Sequence, residues 1–173
     1  MNQVIETIIS RRSVKSYKNE MPSMEAIEEI CKAGTYAPTG MGWQSPIIIA
    51  VTNKEVRDQL SRMNAKILGI DGDPFYNAPV VLVVLAKKDV GTRVYDGSLV
   101  MANLMIAAQS LGIDSCWIHR AKEEFESEEG KAILQNLGIE GEYEGIGHCI
   151  LGYAERQPAE QKPRKDNYTY FIK

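Results

Sequence analysis

The spacing of apolar positions along the chain changes several times, and each change marks an element. Val4, Ile5, Ile8 and Ile9 recur at helical spacing and predict an amphipathic helix ending near Ser10. A second helix is predicted after Pro22, with Ser23 as N-cap and Ile27, Ile30, Cys31 and Gly34 along one buried stripe. The breaker-rich run from Ala37 through Pro38, Thr39, Gly40, Gly42 and Gln44 to Pro46 reads as a loop, which enters a β-branched strand at Ile47–Val51. Thr52 and Glu55 fit a capping box for a third helix carrying Val56, Leu60, Met63 and Ile67. A polar turn through Asp71, Gly72, Asp73 and Pro74 leads to Val80–Ala86, which is apolar at every position and is expected at the centre of a sheet.

From Tyr95 to Leu111 the chain is apolar around most of a helical circumference. Such a helix has to be covered on several sides, by the sheet and by a second subunit. Gly112 ends it, and Asp114–His119 reads as a strand. Ser127 caps a further helix with Ala132, Ile133 and Leu137, and Ile146–Ala154 reads as a last core strand. Helices and strands are interspersed, so the class is mixed α and β in layers, and periodicity alone leaves strand order open.

Composition narrows the function classes. The chain has 173 residues, 44% of them hydrophobic and 25% charged, the balance of a single globular domain over residues 1–173. Lys and Arg number 20 against 23 Asp and Glu, for a net charge of -3, which argues against broad nucleic-acid binding. No apolar run approaches the ~20 residues of a membrane span. Glu6 inside the first apolar stretch and Arg11-Arg12 after it reverse the order of a secretory signal. Three scattered cysteines, Cys31, Cys116 and Cys149, do not form a disulfide framework, so a reduced, cytoplasmic protein is expected.

No phosphate-binding glycine loop, dinucleotide fingerprint or nucleophile elbow is present. Cys116, His119, His148 and Cys149 are zinc ligands by type, but alternate strand residues face opposite ways, so neither pair aims at one point. A cationic set split between the termini is a better candidate: Arg11-Arg12-Ser13-Val14-Lys15 after the first helix, and Arg164-Lys165 near the end. Guanidinium forks and a hydroxyl suit a phosphate monoester, whereas two arginines at a helix C-terminus can equally complement its dipole.

The run Arg11-Arg12-Ser13-Val14-Lys15-Ser16-Tyr17 after an Ile-rich helix resembles the opening motif of the FMN-dependent nitroreductase family. The resemblance continues in Ala37-Pro38-Thr39-Gly40 with Gln44-Ser45-Pro46, then in Leu111–Ile118, and in Gly152-Tyr153 followed by Lys162-Pro163-Arg164-Lys165. The four blocks keep the family's order, cover nearly the whole chain, and match its short branch.

The resemblance implies an α+β layered fold: a central mixed sheet flanked by helices, in an intertwined homodimer whose C-terminal extension, about 160–173, reaches the partner. It implies FMN at the subunit interface. Arg11 and Ser13 would hold the phosphate with Arg164 and Lys165, and Arg12 would lie near the ribityl end. Lys15 would face the pyrimidine edge as an electrostatic support, with an idle surface lysine as the alternative. Pro38, Thr39 and Gly40 would come from the partner, and Gln44 would either contact the ring or satisfy its own loop. Ile118, His119 and Arg120 would lie along the ring, with a backbone N–H toward N5. Gly42 stands where the family usually has Asn, and His119 where several relatives carry an acid. Trp43 and Trp117 would shape the cavity or simply pack. No catalytic side chain is implied, because flavin N5 is the reactive centre. The implied activity is ping-pong hydride transfer from NADH or NADPH to a nitroaromatic, quinone or similar small oxidant, against the alternative of a flavin-storing or flavin-sensing protein. No nucleic-acid or membrane partner is implied.

Overall fold

The computed structural model describes residues 1–173. In chain order its elements are α1 (Gln3–Ser10), α2 (Met24–Thr35), β1 (Pro46–Val51), α3 (Lys54–Leu68), β2 (Val80–Lys87) and α4 (Arg93–Ser110). They continue with β3 (Asp114–Ile118), α5 (Ala121–Glu126), α6 (Glu128–Asn136) and β4 (Tyr143–Gly152). Caps set most helix starts. Asn2 accepts from the Val4 N–H, Ser23 from Ala26 and Ser127 from Gly130. The capping box expected at Thr52 and Glu55 is corrected: Asn53 is the N-cap of α3, its side chain accepting from the Val56 N–H at 3.0 Å. An amide one residue later does the same work as the hydroxyl, and spacing alone does not separate the two.

The sheet has the order β1-β2-β4-β3. All three ladders are antiparallel, so the expectation of a mixed sheet is also corrected; the only parallel pairing is the isolated Ser13–Ser115 bridge. The mixed sheet is what the resemblance implies; in this chain helices cover both faces of an antiparallel sheet and give β2 an apolar run that carries no strand direction. Val81, Val83 and Leu85 pack with Leu60 and Met63 of α3, Phe75, and Phe125 of α5. On the other face Val80, Leu82, Val84 and Ala86 pack with Ile27 and Ile30 of α2 and Met101, Leu104 and Ala108 of α4. β2 is buried at Val80 to Ala86, as its sequence requires.

Three further differences concern edges. Cys31 is half-buried and Ile67 is 40% exposed, so each sits at the rim of its stripe. β4 begins at Tyr143, before the apolar run, because Tyr143 and Glu144 pair with Lys87 and Ala86. Helix α5 has no signal in its polar sequence; it is held by tertiary packing on β4. Gly145 makes that packing possible, since a Cβ there would lie 2.1 Å from the Ala121 carbonyl oxygen. Gly145→Ala is expected to destabilise the fold by about 1–3 kcal/mol, read as a lowered Tm. An unchanged Tm would show that α5 is free to move off β4. No helix is long and apolar enough to cross a membrane.

Candidate functional site

The residues after α1 leave the helical conformation at Arg11 (φ -53°, ψ 134°) and run extended beside β3. The Val14 N–H donates to the Ser115 carbonyl at 3.1 Å, and the Lys18 N–H to the Tyr153 carbonyl at 2.9 Å. Extended backbone alternates its side chains. Val14 is buried in the core while Ser13 and Lys15, its neighbours, are exposed on the outer side. Arg12 takes the helix-terminal role open to the arginine pair: its Nη1 donates to the carbonyls of Ile9, Ser10 and Arg11 at 2.9, 2.9 and 3.0 Å.

Arg11 is different. Its Nη1 is buried and has no hydrogen-bond partner in the chain. A buried guanidinium nitrogen without an acceptor is costly, and a phosphate oxygen satisfies it. Arg11, Ser13 and Lys15 also act on the ionisation of Cys116. Burial pushes the Cys116 thiol up, while a hydrogen bond from Ser13 and the charges of Lys15 and Arg11 oppose that shift. Arg11, Ser13 and Lys15 alternate along the segment that bridges to Ser115, so they lie along the β3 edge. By this donor chemistry the strip fits a phosphate-bearing cofactor such as FMN.

Beyond the strip a cavity of about 260 Å³ is lined by Lys15, Tyr76, Ile118, His119 and Arg120, among others. Lys15 Nζ lies 5.9 Å from the Tyr76 ring centroid. Tyr76 and Asn77 both have positive φ, 52° and 64°, and Asp73 holds them there. Its carboxylate accepts from Arg57, from Ser61 at 2.6 Å and from the N–H groups of Phe75 and Asn77 at 2.9 and 2.7 Å. Burial works to raise the Asp73 carboxyl, but these donors outweigh it and hold the group below its ordinary value.

Pro38, Thr39, Gly40 and Gln44 lie elsewhere, in the loop that enters β1. Buried Asp96 of α4 accepts the Gly40 N–H at 3.0 Å and the Thr92 hydroxyl at 2.8 Å. A Cβ on Gly40 would lie 2.4 Å from Thr92 Oγ1, so only glycine lets the turn approach α4 this closely. The Gln44 N–H donates to Thr39 Oγ1 at 3.0 Å, and Met41 and Gln44 have positive φ, 53° and 50°. The loop is thus held by a residue the sequence reading missed, although one acid in the first turn of an otherwise apolar helix was a visible signal. β1 and β3 are opposite edges of the sheet, three strand spacings or about 14 Å apart. One chain does not bring this loop to the cationic strip.

Arg164, with Ile8 and Ile9, lines a groove of about 780 Å³ between the tail and α1, and Lys165 Nζ lies 5.3 Å over the Tyr168 ring. Trp117 is half-buried against the Gly147 backbone, where a Cβ would lie 2.4 Å from its Nε1, and Trp43 is 61% exposed. Cys116 and Cys149 belong to different cores, and no three His, Cys, Asp or Glu side chains gather as a metal would require.

The molecule is therefore an α+β protein with helices on both faces of a four-stranded sheet and a cationic strip along one edge. It belongs to the nitroreductase family, whose model matches residues 8–153. It is similar over its full length to an FMN-bound nitroreductase of Bacteroides fragilis, with a TM-score of 0.91, 28% identity and 100% of each chain covered. A nitroreductase of Desulfitobacterium hafniense with bound FMN gives a TM-score of 0.87 and 28% identity over 99% of this chain and 100% of that one. An Archaeoglobus fulgidus protein provisionally named NADH dehydrogenase/NAD(P)H nitroreductase is 30% identical over 158 residues, 88% of this chain and 86% of its own.

Proposed function

We propose that this chain is an FMN-dependent oxidoreductase that works as a homodimer, taking hydride from NADH or NADPH and delivering it to a small oxidant such as a nitroaromatic or quinone in two alternating half-reactions. The observation that carries the reading is the buried, unpartnered Nη1 of Arg11 beside Ser13 and Lys15. Bound FMN would supply the centre that accepts and releases the hydride.

The chain's own groups bind, orient and charge the site. Arg11 and Ser13, with Arg164 and Lys165 of the tail, would hold the phosphate. Arg12 keeps the end of α1 in place beside them. Lys15 would set a positive charge where negative charge gathers on the reduced ring. Ile118, His119 and Arg120 would form the wall along the ring. Pro38, Thr39, Gly40 and Gln44 would be contributed by a second copy, because their position at the opposite sheet edge keeps them from their own strip. The exposed tail, with Tyr168, Tyr170, Phe171 and Ile172 between 71% and 104% exposed, would cross to that copy. We read residues 1–173 as one FMN-binding domain with this tail as its extension.

The test is an anaerobic titration of the protein with FMN bound. Bleaching of the flavin absorption by NADH or NADPH, and its return on adding a nitroaromatic or quinone, is the expected result. Stoichiometric FMN that neither nicotinamide reduces would make the protein a flavin-storing or flavin-sensing one instead.

A further inference from the structure

Between β3 and α5 the chain makes a turn that the capping rules do not explain. Arg120 is the N-cap of α5, yet it is left-handed (φ 78°, ψ 6°) and makes no side-chain cap. N-caps ordinarily take extended backbone and accept a helix N–H through a side-chain oxygen, which arginine lacks. A left-handed non-glycine residue persists where its surroundings over-determine it.

Here the surroundings are one buried amide. Asn64 of α3 has no solvent exposure. Its Nδ2 donates to the His119 carbonyl at 2.9 Å and to Glu124, while its Oδ1 accepts from Arg120 Nε at 2.8 Å. Glu124 is also fully buried and is fixed in turn: its N–H donates to the Arg120 carbonyl at 3.1 Å, and its own carbonyl accepts the Ser127 hydroxyl at 2.6 Å. His148 Nε2 lies 3.0 Å from Glu124 Oε2, off the line a hydrogen bond needs. Phe75 closes the other side, with its ring centroid 5.2 Å from that of His148.

In a trans peptide the carbonyl and the following N–H point in opposite directions, and the chain contains no cis bond. Binding the His119 carbonyl to Asn64 therefore turns the Arg120 N–H away from α3. That N–H donates to nothing within the chain. We infer that Asn64, held by Glu124, is a positioning residue that sets the His119–Arg120 peptide and so presents the Arg120 N–H to the cofactor. The inference rests on the FMN reading for what receives the N–H, but not for the tether itself.

The test compares three proteins: wild type, Asn64→Leu, and the exchange pair Asn64→Asp with Glu124→Gln. The exchange keeps a hydrogen bond between positions 64 and 124 and keeps an acceptor for Arg120 Nε, but it faces the His119 carbonyl with a carboxylate oxygen. Two quantities are read: the backbone chemical shifts of Arg120 in flavin-free protein, which report its left-handed φ, and the Kd for FMN by fluorescence titration. In both variants the left-handed signature is expected to be lost and the Kd to rise about tenfold, the worth of one well-placed hydrogen bond. In the exchange pair Tm is also expected to fall, because the buried His119 carbonyl then faces a carboxylate, so the Arg120 shifts and the Kd, read on folded protein, separate the tether from general stability. Should Asn64→Leu fail to fold, the exchange pair alone decides. An exchange pair that keeps the Arg120 signature and the wild-type Kd overturns the inference, and so does a lowered Tm with Kd unchanged. A wild type that binds no FMN would sink the functional reading, while the Arg120 shifts would still decide the tether.

Discussion

Replacing Arg11 with alanine is expected to weaken FMN binding about a hundredfold without lowering the Tm of the flavin-free protein. Hydrogen bonds to charged groups contribute about 1.5–3 kcal/mol, and 2.7 kcal/mol corresponds to a hundredfold in Kd. The usual cost of removing a half-buried arginine is small here, because its Nη1 satisfies nothing within the chain. Arg11→Lys should recover only part of the loss, since an ammonium restores the charge but not the planar fork. Fluorescence titration and a thermal melt of each variant check this. An unchanged Kd with a lowered Tm would show that Arg11 serves the fold and would remove the observation on which the functional reading rests.

The double substitution Ile5→Lys and Ile8→Lys is expected to give a folded monomer that no longer retains FMN. Helix α1 buries no residue, although it carries Val4, Ile5, Ile8 and Ile9 at 62%, 50%, 49% and 49% exposure. Tyr36, Trp43 and Tyr95 add further exposed aromatic surface at 77%, 61% and 73%. An apolar helix left bare to this extent is an interface in waiting. Light scattering after size exclusion should give half the wild-type mass, and the far-ultraviolet circular dichroism should be retained, because α1 supplies nothing to either core. Loss of flavin follows if the second copy supplies the Thr39–Gln44 loop. A variant that remains dimeric places the interface elsewhere, and a monomer that still binds FMN at wild-type affinity refutes a shared site.

What was legible in the chain was whatever depends on neighbours in sequence. Ser23 and Ser127 could be read as caps because a cap acts on an N–H two or three residues ahead. Val80–Ala86 could be read as central because two-sided burial leaves no polar position. The cationic set Arg11, Arg12, Ser13 and Lys15 was legible for the same reason, since its members follow one another in the chain. The resemblance added the family, which the match over residues 8–153 bears out.

The tertiary structure decided what depends on residues far apart in the chain. Arg11 and Arg12 are adjacent and alike in type, yet one caps α1 and the other has a buried nitrogen without a partner; only packing separates them. Strand polarity was hidden because helices on both faces give an antiparallel strand the apolar run of a parallel one. Asp96 lies 56 residues from Gly40, and Asn64 lies 55 from His119. Local periodicity reports which face of an element is buried, but says nothing about which distant backbone group a buried polar side chain will satisfy. By itself the sequence determined the elements other than α5, most of their buried faces and a cationic set that follows α1. The fold alone decided which of these cations is free to bind, and which buried amides and carboxylates hold the surrounding turns, because burial without water forces each such group to find its partner in three dimensions.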